Sequence, residues 1–501
     1  MKTSLKIFFT ILIYCFPFIN YQSSIINCNA QNNPDIKRTM HWYFGWYAGL
    51  DFSNGTPVAV TDGQTIVWKG CASISDTAGN LLFYTDNVRV WNKNHELMPG
   101  GSCIIEPIDD IHPTQILAVP QPGNDSIYYI FSLQYDSTAI NDEWVYSIVN
   151  MKLEGGLGDV ISKQNFLFYN PTEKISAVKQ RESNDMWIII TKMHTNSFYA
   201  YSFTSTGLNL SPVISNAGIV DNYGICYLTP SPDGSKLALG FNLDGFEILD
   251  FNNKTGTVSN PITFPPTYSE NYGIAFSPDS KKLYVTSHYF NTPENPNHTT
   301  GAIYQYNVTG DSATTVSSKI LLDTIAVELG TVTDITGALQ LASDGKIYAT
   351  NDDTHHLGVI NYPNIQGTAC NYIDSAVYLM SGLSSINFPN YPANYFYIDS
   401  LYNTSSPDIE IPVSSSPVVY PNPFNTSASI TIPCKSQLNS NQIIVELFDV
   451  LGRKQNVKKS IISNNSDIKI KIEQGDIPEG IYLLKVQINN KIYSQKIIIT
   501  N

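Results

Sequence analysis

Beyond its first thirty residues the 501-residue chain has no apolar run long enough to cross a bilayer as a helix, so no transmembrane segment is expected in the mature part. It has no Cys-x-x-Cys pair, which removes zinc ribbons and thioredoxin-type redox centres. It has neither a Gly-x-Ser-x-Gly elbow nor a Gly-rich phosphate loop. His95-Glu96 opens like a zinc-protease helix, but Pro99 stands where the second histidine is required. Between Met40 and Ser400 there is no sustained helical periodicity. With these signals missing, no catalytic residue, metal ligand or cofactor is predicted, and an enzymatic role has no motif behind it.

The amino terminus carries an address. Lys2 and Lys6 precede the apolar run Ile7 to Ile19, and a small residue, Ala30, ends a polar stretch. This predicts a secretory signal peptide over residues 1–30, cut between Ala30 and Gln31. A membrane anchor is the rival reading, but the run is short and holds Pro17. Cleavage leaves Cys71, Cys103, Cys226, Cys370 and Cys434, an odd set that permits one or two disulfides. Charge is divided unevenly: net +2 in residues 1–30, +4 from Pro417 onward and −20 in residues 31–416. So acidic a body repels phosphate backbones, which argues against nucleic-acid binding. A solubilising surface explains the same charge.

One hairpin recurs along the body. In YLTPSPDGSKLALG, Tyr227 to Gly240, the turn Ser231-Pro232-Asp233-Gly234 lies between two apolar runs. Proline presets φ and glycine accepts φ > 0, so the four residues reverse the chain between antiparallel strands. The unit returns at Ile274 to Thr286 and at Leu339 to Thr350. Its second strand is also matched by LLFYT at Leu81, IYYIF at Ile127 and MWIII at Met186, so successive copies lie 46, 59, 50, 46 and 64 residues apart. Three strands and a variable outer segment at such intervals fit a β-propeller blade. Six blades are visible. A seventh is expected where Ala376 to Met380 and Ile386 to Tyr397 pair with Trp42-Tyr43-Phe44 or with Pro57 to Thr61. A jelly-roll sandwich would not produce six copies of one hairpin.

The blade motif resembles WD40-like and TolB-like propeller repeats, which carry the Ser-Pro-Asp-Gly turn. The opening WYFGWYAGLDF, Trp42 to Phe52, resembles the start of exported propeller proteins common in Bacteroidetes. The propeller is thus placed at residues 31–401 and a small, polar, proline-bearing linker at 402–416. Residues 417–501 read as a second all-β domain, an immunoglobulin-like sandwich. Its strands are predicted at Ser429 to Ile432, Ile443 to Asp449, Ile468 to Ile472, Ile481 to Ile488 and Lys491 to Thr500. Within it, Tyr420-Pro421-Asn422-Pro423-Phe424, then Asp449 to Gly452-Arg453, then Gly480-Ile481-Tyr482, and a closing strand with Lys496 follow the order of a type IX secretion C-terminal sorting domain. That resemblance implies partners in the type IX machinery and its sortase, and delivery to the outer-membrane surface or beyond.

For chemistry in the body, Asn351-Asp352-Asp353-Thr354-His355-His356 combines carboxylates with imidazoles that can hold a metal. A polar hairpin tip is the plainer expectation. His112, His194, His288 and His355 fall in four different blades, but at different places within them, as scattered surface histidines do. Trp42, Tyr43, Phe44, Trp46 and Tyr47 suit sugar stacking or, as alternate members of a strand, core packing. The expected function is a surface-delivered, non-catalytic module for a glycan or envelope-protein ligand. The alternative is an extracellular hydrolase or lyase at the channel mouth. Three facing carboxylates or imidazoles in one pocket would favour the enzyme, and a lining of Asn, Ser and Tyr the binder.

Overall fold

The computed structural model describes residues 34–106, 114–135, 142–242, 244–264, 270–288, 300–326, 336–397, 418–433, 443–449, 453–463, 467–488 and 491–500. The chain divides into two compact units at residue 398/399.

Among the described residues the first unit holds seven antiparallel sheets in chain order. Blade 1 is His41–Phe44, Ala48–Asp51 and Val58–Val60; blade 2 is Ala72–Ser75, Leu81–Thr85 and Val90–Asn92. Blade 3 runs from Leu117–Gln121 out to Asp159–Tyr169, blade 5 from Leu228–Pro230 to Thr257–Phe264, blade 6 from Glu270–Phe276 to Ile320–Ala326, and blade 7 from Thr336–Leu341 to Tyr372–Tyr378. Blade 4 begins with Pro171–Lys179 and Met186–Lys192; its third strand, Ser197–Thr204, pairs with both Gly207–Leu208 and Val213–Asn216. The first strand of each blade lies beside the first strand of the next. Blade 7 meets blade 1 where Tyr348 packs edge-on against Trp42 at 5.7 Å and Phe52 at 5.5 Å.

The repeated turn works as its residues dictate. Gly234 N–H donates to Ser231 O at 2.8 Å, and Ser280 and Gly345 make the same bond in blades 6 and 7. All three have φ between 59° and 78°, which glycine adopts without strain and Ser280 does not. Asp233 Oδ1 accepts from Ser231 Oγ and Ser235 N, so this carboxylate is spent on the reversal.

Ring closure departs from the expected pairing. The seventh sheet is built from residues 41–60 alone, and Ala376 to Tyr378 lie in the outer strand of blade 7. Gly382 to Tyr397 join no sheet as a strand; in its second half Pro389 and Pro392 lack the N–H groups a ladder needs. Instead this segment runs along the axis as a strap. Leu383 exchanges two 3.0 Å backbone hydrogen bonds with Trp46 of blade 1, and Ile386 O accepts from Ala338 N of blade 7 at 2.8 Å. Further on, Asn390 Nδ2 donates to Ile175 O of blade 4 at 2.9 Å. Asn394 accepts from Lys179 N at 2.7 Å and donates to Pro232 O at 3.0 Å, where the first strands of blades 4 and 5 finish.

The second unit is a sandwich of two four-stranded antiparallel sheets. One contains Ser427–Pro433 and Asp467–Glu473, the other Ile443–Asp449, Gly480–Ile488 and Lys491–Ile499. Ile430, Ile468, Ile470 and Ile472 from the first face Val445, Leu447, Leu484, Val486 and Ile497 from the second in one core. Lys458–Ser463 adds a strand that alternation did not reveal, since both its lysines are exposed and Ile462 also faces solvent.

Candidate functional site at the channel mouth

The axial channel is the place where a propeller presents equivalent strands to a ligand, and here the strap fills it. Asn387, fully buried, accepts from Tyr272 Oη at 2.7 Å and donates to Thr114 O. Beside the strap remains a cavity of ≈ 30 Å³, lined by Ser176, Tyr227, Thr229, Asn390, Tyr391 and Phe396 among others, with no charged side chain. Such a volume admits about two water molecules. Burial pushes the Tyr227, Tyr272 and Tyr391 phenols well above their ordinary range, so they stay neutral.

At the end where first strands begin, charges are paired. Glu173 accepts from Thr114 N at 2.8 Å and from Tyr135 Oη at 2.9 Å, with Lys69 Nζ at 3.6 Å. Next to it Lys174, wholly buried, is held by Asp221, whose other oxygen accepts from Gly224 N at 2.8 Å. These contacts tie blades 2, 3, 4 and 5 together.

The Asn351 to His356 motif disperses. Asn351 donates to Asp374 at 3.0 Å, His355 Nδ1 meets Gly382 O at 2.8 Å, and Asp352 Oδ2 accepts from Trp68 Nε1 at 3.1 Å across the blade 7/blade 1 boundary. Burial raises the Asp352 carboxyl to about 6 although the Trp68 N–H pulls it down; the neighbouring Asp353 charge adds to the rise. His194 sits at φ 58° after the second strand of blade 4, its N–H on Asp221 O, and His288 ends a strand of blade 6; His112 lies outside the described residues. Among the described residues no three His, Cys, Asp or Glu gather as a metal site. His95 bonds Tyr84 at 3.1 Å and Asp62 at 3.3 Å, and Asp62 also accepts from Tyr43.

The opening aromatics divide between the two blade boundaries rather than between core and solvent. Trp42 and Phe44 pack towards the strap, 5.1 Å each from Phe388, while Tyr43 stacks at 4.4 Å on Tyr84 of blade 2. Only Tyr47 is exposed. Cys71, Cys103, Cys226 and Cys370 form no disulfide with one another, so none of the permitted disulfides forms among the described residues.

In the second unit the sequence motifs meet. Asn422, between Pro421 and Pro423, donates to Lys496 O at 2.9 Å and accepts from Ile498 N at 2.8 Å. Phe424 adds backbone bonds to Ile498 and Thr500, so the first motif is clamped to the last strand. Tyr420 is exposed. Arg453 Nε pairs with Asp449 at 2.8 Å; Gly452 between them lies outside the described residues, as do Ala30 and Gln31. Tyr482, two residues after Gly480, donates its hydroxyl to Pro478 O at 2.8 Å.

Residues 418–500 match the family model described as a secretion system C-terminal sorting domain. Among curated proteins nothing matches the chain. Among solved structures it is similar to a Bacteroides uniformis protein provisionally named a 6-phosphogluconolactonase, at 14% identity and TM-score 0.43, covering 70% of this chain and 99% of that one. It is also similar to a quinonprotein alcohol dehydrogenase-like protein from Bacteroides thetaiotaomicron, at 13% identity and TM-score 0.34, over 71% and 76% of the two chains. The Cps50 (Swd1) β-propeller domain of Myceliophteria thermophila is similar at 8% identity and TM-score 0.34, over 63% and 93%. No chemistry is carried over from any of them. By its blades and its tail, this is a β-propeller protein ending in a type IX secretion C-terminal sorting domain, the address for export to the cell surface or the extracellular space.

Proposed function

We propose that the propeller, residues 31–401, is a non-catalytic binding module, led through the envelope by a signal peptide over residues 1–30 and, beyond a linker at 402–416, by the tail at 417–501. The observation that carries this reading is the occupied axis. A substrate pocket buries most of a ligand within some hundreds of Å³. Here the channel holds the protein's own Asn387, Asn390 and Asn394, and a cavity of ≈ 30 Å³ beside them is lined by uncharged polar, aromatic and aliphatic side chains. Recognition then belongs to the surface, for a glycan or an envelope protein. Purified full-length protein, screened against a glycan array and against envelope extracts with the recovered ligands sized afterwards, is expected to bind saturably and return its ligand uncut. Shortened ligand would overturn the reading. Deleting residues 429–501 is expected to strand the propeller in the periplasm, and normal surface delivery on fractionation would refute the assigned role of the tail.

A further inference from the structure

Where the second half of the strap passes the first strands of blades 4 and 5, the packing leaves room beside two hydroxyls. In Pro171–Lys179 the side chains of Ile175 and Ala177 join the core between blades 3 and 4, while Val178 joins the core between blades 4 and 5. Alternation along the strand puts Ser176 on the same side as Val178, against blade 5. In blade 5 Leu228 fills that same core, so Tyr227 and Thr229 on either side of it turn the other way. The Tyr227 ring lies 5.8 Å from that of Tyr272, and Thr229 Oγ1 donates to Ile274 O at 2.9 Å. Asn390, Tyr391 and Phe396 of the strap close the space, which is the cavity of ≈ 30 Å³.

Two donors in this lining are unspent. Ser176 and Tyr227 are 1% and 3% exposed, and among the described residues neither O–H has an acceptor. The backbone N–H of Phe388 faces the Tyr227 oxygen but cannot take the phenol's proton. A buried donor that folding takes from water leaves a hydrogen bond to be replaced, and cavities that stay dry are apolar. This one is not. A buried water needs about two to four polar partners. Besides the two hydroxyls, Thr229 Oγ1 and the Asn390 carboxamide oxygen have lone pairs to accept from it, since the bonds to Ile274 O and Ile175 O use only their donors. The lining carries no charge to hold an ion, and the volume is too small for an organic ligand.

We propose that this cavity is a bound-water site, in which water accepts from Ser176 Oγ and Tyr227 Oη and ties the strap at Asn390 to blades 4 and 5. The inference is independent of whether the body binds a ligand. A high-resolution crystal structure of the full-length protein is expected to show water within about 3.0 Å of each hydroxyl oxygen. A cavity without such density overturns the proposal. In solution the test is a urea titration, followed by tryptophan fluorescence, of Ser176→Ala, Tyr227→Phe and the double variant. Each single variant is expected to lower the folding equilibrium constant by about three- to tenfold, because the water loses a partner. Tyr227→Phe also takes the oxygen away from the Phe388 N–H, so the coupling decides. Ser176 and Tyr227 share no direct bond, and the double variant should lose less than the product of the two single effects only if water links them. Effects that simply multiply overturn the link. A Ser176→Ala variant as stable as wild type, or more so, overturns it too, since removing an unpartnered hydroxyl from a dry space restores stability. Both substitutions delete one oxygen and add no bulk, so every variant is expected to fold.

Discussion

Replacing Asn387 with alanine tests whether the axial strap holds the propeller together. The side chain is fully buried and spans two blades, donating to Thr114 O and accepting from Tyr272 Oη. Alanine removes both bonds and strips two buried groups of this partner, at about 1–3 kcal/mol for each one left unsatisfied. Water entering the vacated space recovers part of that, so a loss of about 2–4 kcal/mol is expected. All six tryptophans lie between Trp42 and Trp187, so indole fluorescence follows the propeller without interference from the sorting domain. In a urea titration of the full chain the fluorescence midpoint should fall while the slope stays constant, since the surface exposed on unfolding is unchanged. Asn387→Asp keeps the acceptor but loses the donor and buries a charge, so at neutral pH it should be worse than alanine. A loss below about 0.5 kcal/mol for the alanine variant, the range of an indifferent surface change, would refute the strap as a structural clasp.

Two further outcomes follow from buried charges. Lys174→Met strands Asp221 without its cation in a fully buried pair and should cost about 3–5 kcal/mol in the same titration, with Lys174→Met/Asp221→Asn recovering part of it; equal losses for the single and double variants would contradict the pairing. Burial raises Asp352 to about 6, above a free carboxyl, so the folded state favours its protonated form. That contribution is complete below about pH 4 and is lost as the pH rises through 6, by about 3 kcal/mol. Asp352→Asn does not titrate, so the stability of wild type relative to this variant should decline between pH 4 and pH 7; a flat difference would rule out the shift.

The division between what the chain announces and what only folding decides is physical. Alternating strands and Ser-Pro-Asp-Gly turns act over a few residues, so the blades at Leu81, Met186, Lys236 and Lys282 were legible without coordinates. The tail was legible for a similar reason: Asn422, Asp449, Arg453 and Tyr482 each sit in a short motif tied to a turn or to the closing strand. The Ser427–Pro433, Ile443–Asp449 and Gly480–Ile488 strands alternate as expected, whereas Lys458–Ser463 has too little alternation to show. The strap was not legible as one, because Asn387, Asn390 and Asn394 look like loop residues until the blades that accept their hydrogen bonds surround them. Nor was the pairing of Trp68 with Asp352, 284 positions apart, which exists only because blade 7 closes on blade 1. Local sequence determined blades, turns and address. Ring closure, a long-range event, decided that the channel is filled and that Trp68 meets Asp352.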